Sequence, residues 1–199
     1  MIIYLNIEGE MRDYMQDNYK EKDLRQLILS TIKAVGMNTE LKKDECGINM
    51  SYNFIGDYVG YDKKRLVEAW KEMQAAIPFE QYVKTLTMHE LGHAIDREAL
   101  QDSLERTLEI LDIKNSHSPR ELYTNIDLLS VLLEEQQMDI TFEETAWHNA
   151  KYLNEAAGLV DSFTFEFIKK HSLATYKDLY EEDTALYNKL AEERTLQPV

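Results

Sequence analysis

Between Pro78 and Pro198 the chain carries one further proline, Pro119, and two glycines, Gly92 and Gly158. These two residue types are the strongest local breakers of regular structure. A long stretch nearly free of them, rich in leucine, glutamate and alanine, is predicted to fold as helices joined by short turns. The whole chain has only three prolines and seven glycines. No linker-like segment and no internal repeat divides it. The expectation is a single α+β domain over residues 1–199, mainly α. A small sheet and helices would occupy 1–78, and a helical part 79–199.

Within the first part, "MIIYLNI" alternates weakly and is a short strand candidate. Asp13 to Val35 suits a helix that buries Leu24, Leu27, Ile28, Thr31 and Ile32, with Gly36 as its stop. "GINMSYNFI" is the clearest strand, since Ile48, Met50, Tyr52 and Phe54 alternate with polar residues. "GDYVGYD" is its candidate hairpin partner. Residues 63–75 read as a helix.

In the second part a helix is predicted from about Glu80. It continues through Leu100, Leu104, Leu108 and Leu111 at core spacing and stops at "NSHSP". Ser118-Pro119-Arg120-Glu121 is a capping box with proline at the first helical position. It opens a helix to about Gln137. Thr141-Phe142-Glu143-Glu144 reads as a second box, opening a helix that ends near Gly158. Two more helices fill 162–195.

Composition bounds the function. With 22 Lys plus Arg against 37 Asp plus Glu, the net charge is −15. That is the wrong sign for gripping nucleic-acid phosphates or anionic lipid, so neither nucleic acid nor membrane is expected as a partner. The single cysteine, Cys46, excludes an intrachain disulfide. The N-terminus lacks the basic lead and cleavage site of a signal peptide, and no stretch is long and apolar enough for a membrane span. The expectation is a cytoplasmic protein, with a secreted chain that has lost its signal as the alternative.

The chemistry is concentrated in "HELGHAID", residues 89–96. Residues i and i+4 of a helix lie on one face, so His89 and His93 can point their imidazoles at one metal ion. Zinc suits imidazole nitrogen, and a catalytic zinc keeps one position for water. Glu90 lies about 100° further round the helix, where it can reach that water without ligating the metal. Zinc brings the water's pKa toward about 7, so the carboxylate can take its proton as it attacks a carbonyl and pass it to the leaving amine. The motif's helix would bury Val83, Leu86, Leu91, Ala94 and Ile95. Gly92 inside it costs about 1 kcal/mol against alanine, which implies that something packs closely there.

"HELGHAID" resembles the zincin metallopeptidases. The longer form HExGHAxD is similar to the lethal-factor-like group, in which an aspartate follows the second histidine at the place of Asp96. The resemblance implies that His89 and His93 are zinc ligands and Glu90 the general base and acid. It implies a zincin-like fold, a peptide or protein substrate, and an edge strand such as "GINMSYNFI" that pairs with it. Asp96 would support the site or the helix. The metzincin pattern fails, because Asp96 and Ala99 stand where a glycine and a third histidine belong.

The gluzincin class takes its third ligand from a glutamate on a later helix. "EEQQMD" offers Glu135 with Asp139 four residues on, and "FEETAW" offers Glu143 with Ala146 and Trp147. Glu143 is preferred, because the box at Thr141 would occupy Glu144 and leave Glu143 free. Ala146 is small enough for a close helix approach, and Trp147 could wall off the site. Glu144 and Glu135 remain alternatives. No tyrosine precedes the glutamate as in the lethal-factor-like group, so Tyr123, His117, His148 and Tyr152 stay open as oxyanion partners. The functional expectation is a zinc metalloendopeptidase of gluzincin type. Its alternatives are a regulatory protease of the phage or mobile-element kind and a non-catalytic zinc-binding interaction protein.

Overall fold

A computed structural model describes residues 20–73 and 77–196. The strand expected at "MIIYLNI" and the start of the helix expected from Asp13 lie outside the described residues. The rest is mainly helical with one small sheet. The elements in chain order are α1 (Glu21–Ala34), β1 (Glu40–Lys43), β2 (Met50–Asn53), β3 (Tyr58–Tyr61), α2 (Lys63–Glu72) and α3 (Phe79–Ile95). After these come α4 (Arg97–Asp102), α5 (Leu104–Ser116), α6 (Pro119–Thr124), α7 (Ile126–Ala157) and α8 (Ser162–Leu196). None of the helices among the described residues is long and apolar enough to cross a membrane. Two compact units are distinguished.

One unit holds the described chain up to Ile95 together with Ala146–Ile168. Helix α1 buries Leu24, Ile28, Thr31 and Ile32. It stops where Gly36 takes φ +75° and the Met37 N–H reaches back to the Ile32 carbonyl, a backbone state that glycine adopts without strain. The sheet has the order β1-β3-β2. Strands β2 and β3 form the expected antiparallel hairpin, Met50 opposite Tyr61 and Asn53 opposite Tyr58. Ile48, expected inward, is instead 55% exposed, because pairing begins only at Met50. Parallel β1 was not legible: only Leu41 of its four residues is buried, so it carries no alternating signal. Asp62 caps α2 by accepting from the Arg65 N–H at 3.1 Å.

Helix α3 runs through the middle of this unit, against α1 and β2. It is therefore buried nearly all round from Phe79 to Gly92 rather than along one stripe. Two expected core positions fail at its end: Ala94 is half-buried and Ile95 is 52% exposed. Its threonines keep their hydroxyls satisfied within the helix, Thr85 donating to the Gln81 carbonyl and Thr87 to that of Val83, both at 2.8 Å.

At Gly92 helix α7 crosses α3 at backbone distance. A Cβ on Gly92 would overlap the Ala146 carbonyl oxygen and come within 2.9 Å of its carbon. That close approach is what the glycine permits. Gly92→Ala is expected to lower the denaturation midpoint. The clash with rigid backbone costs about 1–3 kcal/mol or more and outweighs the roughly 1 kcal/mol gained in helix propensity. Urea denaturation measures it, and an equal or higher midpoint would contradict the packing.

The other unit comprises Asp96–Thr145 and the residues from Lys169 onward. The single helix expected from about Glu80 through the motif and on past Leu111 is instead three, α3, α4 and α5, broken at Asp96 and at Ser103. The leucines predicted as its core are not core: Leu100 and Leu104 are half-buried, and Leu108 and Leu111 are 51% and 46% exposed. The short helices reset the phase, and Ile110 is buried instead. The Ser118 capping box is present in full, with Ser118 and Glu121 bonding each other's backbone N–H. Its helix ends early, because Asn125 accepts from the Asp127 N–H at 2.9 Å and starts α7. Leu122, Leu129 and Leu132 form a core with Leu186, Tyr187 and Leu190 of α8.

The predicted box at Thr141 does not exist. Thr141 lies inside α7, and its hydroxyl donates to the Gln137 carbonyl at 2.8 Å. A threonine–glutamate pair resembles a helix start, yet with no breaker nearby the hydroxyl bonds back within the helix instead. The end near Gly158, at φ +62°, is as expected. The two helices expected over 162–195 are one continuous helix, α8.

Candidate metal centre

His89 and His93 sit one turn apart on α3, with ring centroids 4.8 Å apart and planes at 72°. His89 is 5% exposed and His93 half-buried. Across the crossing at Gly92, α7 presents Ala146, Trp147 and Ala150, all fully buried. The Asn149 amide donates to the Gly92 carbonyl at 3.0 Å and pins the two helices at this point. Trp147 lays its ring on His89, centroids 4.3 Å apart and planes at 23°, and receives Phe165 edge-on at 5.7 Å.

Glu143 lies one turn before Trp147 on α7, on the same face. Each of His89, His93 and Glu143 offers one ligand atom, and these atoms lie within 4.8 Å of one another. Two imidazole nitrogens and a carboxylate oxygen make a three-ligand set that could hold a metal ion and leave positions for other ligands. A tetrahedral ion with bonds of about 2.1 Å keeps its ligand atoms about 3.4 Å apart. The widest separation exceeds that spacing by about 1.4 Å at most.

The other glutamates considered are engaged elsewhere. Glu135 takes two bonds from Lys114, at 2.8 and 2.7 Å. Glu144 pairs with Lys177 at 2.6 Å on the surface. Glu90, not in the ligand group, is 6% exposed on the same helix as the histidines. Asp96 ends the motif helix and makes no side-chain cap. Of the oxyanion candidates, Tyr123 and Tyr152 are exposed at 39% and 62%. His117 Nδ1 lies 2.9 Å from the Ile113 carbonyl, and His148 packs edge-on against Tyr152.

Tyr176 was missed. Its hydroxyl donates to Glu143 Oε1 at 3.2 Å, placing a phenol directly on the carboxylate of the group. It comes 33 residues later, on α8, and nothing local distinguishes it from the chain's other tyrosines. Asp139, one turn before Glu143, has its carboxyl pushed up to about 6, by burial first and then by the charges of Glu135 and Glu143.

A scan against protein-family models, a search of curated proteins and a search of solved structures return no match for this chain.

Proposed function

We propose that the chain is a zinc-dependent metallopeptidase with a zincin-like fold of gluzincin type. The observation that carries the reading is the grouping of His89 and His93 with Glu143, 50 residues further along the chain. Glu90 belongs to the same motif, is buried, and is left out of the ligand set. A purely structural zinc is normally closed by four protein ligands and has no use for a carboxylate beside it.

In this reading His89, His93 and Glu143 hold the ion. Zinc bound there would supply the Lewis acidity that acidifies a water molecule and polarises a peptide carbonyl. Glu90 takes the water's proton and delivers it to the leaving amine. Tyr176 holds Glu143 through its hydroxyl, and this outer bond fixes the carboxylate's orientation. Strand β2 ends the sheet order among the described residues and packs on the motif helix. That favours an extended peptide substrate added to its edge by main-chain hydrogen bonds.

The test is a digest of a diverse peptide library by the zinc-loaded chain. Cleavage is expected that a chelator stops and added zinc restores. A chain that binds zinc and cleaves nothing would leave a metal-binding protein without this activity.

A further inference from the structure

We propose that Trp147 is a positioning residue for the metal ligand His89, holding the imidazole by the face of its ring. The inference rests on the metal-centre reading above and adds to it what keeps one ligand in place. Trp147 is fully buried, so it offers nothing to solvent or to a substrate. Its indole N–H has no hydrogen-bond acceptor among the described residues. A buried, unpaired donor is a liability, so the residue is not there for its polar group. What it brings to the site is a large flat face, laid nearly parallel on His89 at 4.3 Å.

The indole has little freedom to leave that position. Phe165 abuts it edge-on, and the backbone that carries it is locked to α3 by the contact of Ala146 with Gly92 and by the bond from Asn149. A ligand ring that is already oriented loses less freedom when it takes up a metal. An imidazole that donates electrons to a cation becomes electron-poor, and the electron-rich indole face then attracts it more strongly. Both effects favour the metal-loaded state, and both need an aromatic face rather than mere volume.

The experiment compares Trp147→Phe and Trp147→Leu with the unaltered chain, measuring zinc affinity by competition with a chelator and the thermal midpoint of the metal-free forms. Phenylalanine keeps a face and removes the unpaired N–H. Leucine keeps apolar volume and removes the face. The expected result is a zinc affinity within about threefold of the unaltered chain for Trp147→Phe. For Trp147→Leu a loss of about tenfold or more is expected, in the range known for groups that orient metal ligands. A role in packing alone would lower both midpoints and leave both affinities alike, and that result overturns the proposal.

If Trp147→Leu does not fold, a second measurement decides. In Trp70→Phe, Trp147 is the sole indole. Its emission should be strongly quenched as cobalt fills the site, and emission that cobalt leaves unchanged overturns the stacking. An unaltered chain that binds neither zinc nor cobalt overturns the metal-centre reading instead.

Discussion

His89→Ala and His93→Ala are each expected to reduce zinc from about one ion per chain to a trace after dialysis. With three protein ligands, removing one leaves a bidentate site, and affinity should fall by orders of magnitude. The two variants should differ in the metal-free state. His89 is 5% exposed and stacked on Trp147, so alanine there leaves a cavity under the indole and should cost about 2 kcal/mol or more. His93 is only half-buried, and its alanine variant should unfold close to the parent metal-free protein. Metal analysis and thermal unfolding together check both statements. Stoichiometric zinc in both variants would remove the histidines from the site.

Glu90→Gln is expected to keep zinc and fold while losing peptide cleavage by about two to four orders of magnitude, the range for a general acid–base group. Glutamine has the size and nearly the shape of glutamate, so it fits a position that is 6% exposed. It cannot accept the water's proton. The readouts are zinc content and the rate on any peptide the library digest identifies. A variant that cleaves at the parent rate, or one that loses its metal, would contradict the assigned role.

Much of the candidate site was legible because its signals are local or steric. The spacing of His89 and His93 fixes them on one face of a helix whatever surrounds it. Gly92 announced a close approach, and the Ala146 backbone fills it. The capping box that would single out Glu143 does not form, since Thr141 lies within a helix. What places Glu143 is the phase of α7. Glu143, Ala146, Trp147 and Ala150 fall at i, i+3, i+4 and i+7, a single stripe, and the last three are fully buried. Glu144 stands about 100° off that stripe and pairs with Lys177.

Other features had no local signature. Tyr176 reaches Glu143 from 33 residues away, a contact that only tertiary structure creates. The leucine run from Leu100 kept helical spacing, but breaks at Asp96 and Ser103 reset the phase and left Leu108 and Leu111 exposed. Leu41 marks β1 by burial, yet Glu40, Lys42 and Lys43 around it have low strand preference. Partner strand β3 holds it in the sheet.

In the proposed centre two helices share one ion through His89, His93 and Glu143. The most direct measurement is zinc affinity for Glu143→Gln beside Glu144→Gln and Glu135→Gln. Glu143→Gln replaces an anionic ligand with a neutral amide and should weaken binding by at least about tenfold. The other two should each lose only an ion pair with a lysine, exposed for Glu144 and part-buried for Glu135, with zinc affinity nearly unchanged. Full affinity in Glu143→Gln, or release of zinc by either of the others in its place, would remove Glu143 from the site.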